Sequence, residues 1–301
     1  MAYYSGSAVD MAAVRTALVN ACIAEGWSWN AGTEMLSKGL MFLRLQVTSG
    51  YLAALGRTSA GAGDAPGVVR IGQIGITPIT FPASYEIFVF PDEVYLVVNH
   101  SVDFYQWMAF GLSSISGLTG SGMWLGASIG ASNDSASSGV YILATVGGAI
   151  GPDRTPAALF WSTIYPTGVQ VANRNCFVNS GLDGEGWLLN NAGVNSLVGA
   201  LSCAPLIGLL PSSWNSEAVL LPIRAFKARP SNKISLVADL QNARYTRVDN
   251  YSPGQIVTVG DEQWKIFPWY RKDSANRNGF SASSGVAHSG TFGWAIRYEE
   301  P

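Results

Sequence analysis

At 301 residues the chain is long enough to bury a sizeable core, as one large β-rich domain or as two ordinary ones. Charged residues make up only 13% of it, about half the usual share, while glycine numbers 34 and tryptophan 10. Ser, Thr, Asn and Gly must therefore clothe much of the exterior, a surface that suits burial against neighbouring subunits.

A formal net charge of -2 gives no global drive towards nucleic acid. The basic residues closest together, Arg224, Lys227, Arg229, Lys233, Arg244 and Arg247, have the spacing of outward strand positions and read as a solvated face. Cys22, Cys176 and Cys203 are odd in number and far apart, which fits neither a disulfide framework nor a metal site and points to synthesis in a reducing cytoplasm. The opening Met-Ala-Tyr-Tyr-Ser-Gly has no basic or apolar signal region, and no apolar run reaches the roughly 18 residues of a membrane span. Neither signal-directed secretion nor membrane insertion is expected.

In chain order, the first element is a helix at about 8–25. Met11, Val14, Leu18 and Cys22 form one apolar stripe with Ala17 and Ala21 beside it, Ser7 and Asp10 have capping spacing, and Gly26 is a natural stop. After Trp27 and Trp29 a β-meander follows: 40–47, then 51–55 beyond the Ser49-Gly50 turn, then 68–76 beyond a Gly-rich loop at 58–67. A second loop is expected at 130–139. The strongest hairpin joins 85–90 to 94–98 through Pro91-Asp92-Glu93. Residues 104–110 continue almost without a polar break, which implies burial on both faces or a subunit contact.

From 111 to 255 the pattern loosens, with short apolar runs at 140–146, 157–161, 186–189 and 218–223 and little regular structure expected. Strands return at 256–259, 264–269 and 293–298, with a turn at Gly260-Asp261. The fold class that results is α+β, mainly β: one N-terminal amphipathic helix packed on antiparallel sheet, with a long loop-rich central region. Three parts are expected: 1–115 as helix plus meander, 116–255 as an inserted central region, and 256–301 as strands rejoining the N-terminal sheet.

Chemistry is sparse. Gly126-Ala127-Ser128-Ile129-Gly130 matches the G-x-S-x-G nucleophile pattern, but the helix that should follow would start in a Ser-, Asn- and Gly-rich stretch of poor helix propensity. The only candidate bases are His100, at a strand end, and His288, in a loop. Asp183 and Glu185, beside Trp187, could be drawn as a glycosidase pair, although a turn anchored by an aromatic is the simpler reading. No C-x-x-C, H-E-x-x-H, dinucleotide loop or P-loop is present. No catalytic, metal or cofactor residues are assigned, and the chain is expected not to be an enzyme. Trp124, Trp161, Trp187 and Trp214 look exposed enough to serve as carbohydrate platforms.

Residues 85–99 (Tyr-Glu-Ile-Phe-Val-Phe-Pro-Asp-Glu-Val-Tyr-Leu-Val-Val-Asn) and 102–111 (Val-Asp-Phe-Tyr-Gln-Trp-Met-Ala-Phe-Gly) resemble structural proteins of tailed phages of Gram-negative bacteria. The stretch 11–27, ending Ala-Glu-Gly-Trp, is similar to their opening helix, and 290–298 (Gly-Thr-Phe-Gly-Trp-Ala-Ile-Arg-Tyr) to their closing strand. The resemblance is thin between about 120 and 210.

It implies a virion protein made in the bacterial cytoplasm. Such a protein would form three-, six- or twelvefold rings with itself and contact other tail, baseplate or neck proteins. A tail or baseplate place comes first, a neck or collar ring second, and a tail module binding host polysaccharide third. Phe104, Tyr105, Trp107, Phe110, Trp264 and Trp269 are the candidates for core or subunit contacts, and the sequence leaves those two roles open.

Overall fold

The computed structural model describes residues 1–72, 79–102, 104–131, 140–141, 158–161, 175–189, 197–199, 203–207, 219–231, 233–270, 272, 280–281, 285–286 and 292–300. Strand β1 (Ala2–Ala8) leads into helix α1 (Met11–Ala24), then β2 (Ser28–Asn30), β3 (Met35–Lys38), β4 (Met41–Thr48), β5 (Tyr51–Arg57) and β6 (Val68–Gly72). Next come β7 (Ala83–Val89), β8 (Glu93–Ser101), β9 (Phe104–Leu112), β10 (Met123–Ala127), β11 (Ile129–Ala131), β12 (Val140–Tyr141), β13 (Cys176–Asn179) and β14 (Trp187–Leu189). The last part holds β15 (Leu197–Val198), α2 (Ala204–Ile207), β16 (Leu221–Arg229), β17 (Lys233–Arg247), β18 (Ile256–Val259), β19 (Glu262–Pro268), β20 (Phe280–Ser281), β21 (Gly285–Val286) and β22 (Phe292–Tyr298).

Most of these strands form three antiparallel sheets. A central sheet has the order β1-β7-β8-β9-β10-β13-β14, a meander sheet β12-β11-β6-β5-β4-β3-β2, and a third sheet β15-β16-β17-β22-β19-β18. The protein is mainly β, with one N-terminal helix packed on antiparallel sheet.

The central sheet is covered on both faces, and strand alternation sorts its side chains between two cores. Val94, Leu96 and Val98 of β8, with Met108 and Phe110 of β9, join Leu43, Leu45, Leu52 and Val69 of the meander sheet and Val14 and Leu18 of α1. Tyr95, Val97, Trp107 and Ala109 point the other way, onto Tyr245, Phe267, Trp269 and Trp294 of the second core. The nearly uninterrupted apolar run at 104–110 thus has its cause in burial on two sides, and its one polar member, Gln106, is buried on the Gly72 backbone.

Helix α1 starts later than its periodicity suggests, because residues 2–8 are claimed by β1 pairing with β7. The cap is Asp10, whose carboxylate accepts from the Ala13 N–H at 2.7 Å. The helix stops at Gly26, where φ is +82° and the amides of Gly26 and Trp27 return to the carbonyls of Ile23 and Cys22. Met11, Val14, Leu18, Val19, Ala21 and Cys22 are buried, matching the predicted stripe. Among the described residues no helix is long and apolar enough to cross a membrane.

Two expectations are corrected. The closing strands do not rejoin the N-terminal sheet: β19 and β22 pair with each other, β22 pairs with β17, and the sheet so formed lies face-on against the central one. Nor is 116–255 a separate insertion, since it supplies β10, β13 and β14 to the central sheet, β11 and β12 to the meander sheet, and β15–β17 to the third. Strand β17 alone is 15 residues long. Of the expected strand 68–76, residues 73–76 lie outside the described residues, as does 132–139 of the second loop and 142–146 of the run beginning at 140.

Candidate functional site

Ser128 is buried at the joint where the chain leaves β10 in the central sheet for β11 in the meander sheet. Its hydroxyl accepts from the Trp107 N–H at 2.8 Å, and its own N–H donates to the Trp107 carbonyl at 2.9 Å. The serine replaces a ladder contact at a sheet crossing, where it is buried and the chain continues directly into β11 at Ile129. His288 lies outside the described residues, and His100 sits far along β8 in a bulge.

The acidic pair has a structural partner. Residues Leu182–Gly184 form a 3-10 turn between β13 and β14, with Asp183 in the left-handed region at φ +57°. Lys227 of β16 is 0% exposed, and its ammonium donates to the Asp183 carboxylate at 2.7 Å and to the Leu182 carbonyl at 3.2 Å, with Glu185 at 3.6 Å. Arg229 closes the group at 3.5 Å from Asp183. The hydrogen bond from Lys227 holds the Asp183 carboxyl below its ordinary range. The basic residues at 224–247 are therefore not simply a solvated face: Lys227 is sealed inside, and Arg247 is buried against Asp249 at 2.7 Å.

Two further clusters fasten the third sheet to the central one. Glu93, at the start of β8, is 3% exposed and accepts from the backbone N–H groups of Gln241 and Asn242 at 2.8 and 2.9 Å, the Asn242 amide at 2.7 Å and the Tyr95 hydroxyl at 2.9 Å. The two N–H groups converge because β17 bulges against β16 between Asp239 and Arg244. Desolvation dominates there and raises the Glu93 pKa despite the four donors. Near the other side, the Lys265 ammonium of β19 is hydrogen-bonded to Glu86 of β7 and to the Tyr3 hydroxyl of β1, and lies 4.9 Å from the Tyr3 ring and 5.6 Å from that of Tyr298. Neither cluster is visible in the sequence, because the partners stand 148 and 179 positions apart.

The six candidate contact aromatics divide. Trp107, Phe110, Trp264 and Trp269 are buried within this chain, Trp107 and Trp269 in the aromatic core between the central and third sheets with ring centroids 5.2 Å apart. Phe104 and Tyr105 are half-buried, Phe104 edge-on to Tyr270 at 5.5 Å. The expected exposure of Trp124 and Trp161 is corrected, since both are buried; Trp187 is half-buried with its indole N–H on the Gly63 carbonyl, and Trp214 lies outside the described residues. Among the described residues no group of three or more His, Cys, Asp and Glu could hold a metal ion.

Several large apolar side chains point outward. Val102 is 84% exposed at the β8–β9 tip, and Val9, Leu40 and Val219 are also exposed. Strand β18, Ile-Val-Thr-Val, is the outermost strand of the third sheet, with Ile256 43% and Val259 39% exposed. Compared with models of known protein families and with curated proteins, the chain finds no match in either.

Proposed function

We propose that the chain is a non-enzymatic structural protein of a tailed-phage virion, working as one subunit of a symmetric ring in the tail or baseplate. The observation that carries this reading is β18: an edge strand with exposed Ile256 and Val259 and no charged residue of its own. Free soluble proteins blunt such edges with Lys, Pro or a covering loop, because an open ladder recruits another chain. An edge left apolar, in a chain with only 13% charged residues, suits a protein whose neighbours are supplied by assembly.

Glu93, Lys227 and Lys265 support the same reading, since they are engaged in joining sheets. A neck or collar ring differs only in its place in the particle. The polysaccharide-binding alternative gains nothing from Trp124 and Trp161, which lie in the core.

The test is the assembly state of the purified chain, measured by native mass spectrometry and light scattering, together with proteomic analysis of purified virions. Rings of three, six or twelve subunits, and the chain recovered in particles, are expected. Replacing Val259 by Lys should shift rings towards monomers with the circular dichroism unchanged. A chain that stays monomeric at high concentration and is missing from virions overturns the proposal.

A further inference from the structure

His100 stands apart from the polar clusters because nothing compensates its burial. It is 4% exposed, and neither ring nitrogen has a hydrogen-bond partner. It occupies the irregularity between Asn99 and Ser101 where the β8–β9 register shifts, so its backbone is displaced from the regular ladder. The Asn99 amide donates to the carbonyls of Ser101 at 2.8 Å and Phe104 at 3.0 Å, and the Thr80 hydroxyl donates to the His100 carbonyl at 2.5 Å.

The Phe104 ring lies 6.2 Å from the imidazole and packs in turn on Tyr270, whose carbonyl accepts from the Tyr105 N–H at 2.6 Å. This corner therefore ties the hairpin end to the segment that follows β19. Beyond the hairpin tip stands the exposed Val102, and Phe81 is exposed ahead of β7.

We propose that His100 is an acid-operated latch: a proton taken up on its ring opens the bulged end of the β8–β9 hairpin and uncovers Phe104 and Tyr270. An imidazolium carries two N–H donors and a charge, and among the described residues neither ring nitrogen has an acceptor or a counter-charge in the closed corner. Among the described residues, the groups around it are Thr80 from the segment before β7, Asn99 and Ser101 of β8, and Phe104 of β9; the titratable Tyr270 lies behind Phe104. Arg70 of β6, the cation of this corner, is packed over the Tyr51 ring at 5.5 Å.

Burial alone lowers the His100 pKa, from 6.5 to about 4. With the folded value depressed, the closed form is fully favoured above 6.5 and loses that advantage as the pH falls from 6.5 towards 4. The ratio of open to closed hairpin end should grow roughly twenty-fold between pH 7 and pH 5. The latch stands whether or not the chain assembles in rings.

The chain has two histidines, so imidazole titration by NMR resolves them, and His100→Phe assigns the signal. The native chain should show one imidazole titrating well below 6.5. Hydrogen exchange over residues 95–112, corrected for its intrinsic pH dependence, should accelerate in the same window, and His100→Phe should abolish that acceleration. Two results overturn the proposal: a His100 ring titrating near 6.5 in a chain whose hairpin exchange does not change, or acceleration that persists undiminished in the variant. Should His100→Phe fail to fold, the native titration and exchange profiles decide alone.

Discussion

Glu93 and Lys227 are both nearly sealed from water, yet their energetics differ because one faces neutral donors and the other carboxylates. Removing the Glu93 carboxylate strands two backbone N–H groups and an amide between sheets. Glu93→Ala should cost about 3 kcal/mol in urea unfolding. Because the folded state raises the Glu93 pKa above its ordinary 4.5, folded protein holds that proton more tightly than unfolded chain. The native chain should accordingly gain stability relative to Glu93→Gln as the pH falls through the raised value, with the gain complete below 4.5. At Lys227 the asymmetry lies between removing the pair's charge and stranding it. Lys227→Met should leave stability unchanged or higher, whereas Asp183→Asn with Glu185→Gln leaves a buried ammonium without its counter-charges and should lower the thermal midpoint.

At the scale of elements, α1 is the part most fully announced by its residues, and its ends rest on single groups. Asp10→Ala should remove about 1 kcal/mol of stability, measured by chemical denaturation, because the Ala13 N–H loses its acceptor. Strand pairing in the third sheet depends on closeness that a side chain would spoil. At Gly293 of β22 an added Cβ would meet the Phe267 carbonyl oxygen at 2.2 Å and the Val248 side chain at 2.5 Å. Gly293→Val should therefore force β22 away from β19 and abolish the cooperative thermal transition, with near-ultraviolet circular dichroism losing the signal of the stacked Trp269 and Trp294, 4.5 Å apart. The hairpins of the meander and central sheets were legible because their turns and alternation are local. Strand β1 was not, because Ala-Tyr-Tyr-Ser-Gly-Ser-Ala is extended only by virtue of its pairing with β7, some eighty residues on.

The whole molecule is three sheets deep, and the sequence already carried the trace of that depth: a central sheet with two buried faces reads as nearly continuous apolar runs, as in 104–110 with only Gln106 between, while β4 of the meander alternates. By itself the sequence determined the mainly-β class and the amphipathic helix, since these follow from composition and from periodicities of two and 3.6 residues. Tertiary structure alone decided that the closing strands build a separate layer, that Ser128 joins two sheets, that Lys227 is sealed against Asp183, and that His100 is buried without a partner. Each of those depends on contacts between residues far apart in the chain, where burial and geometry, rather than residue type or local spacing, set what a side chain can do.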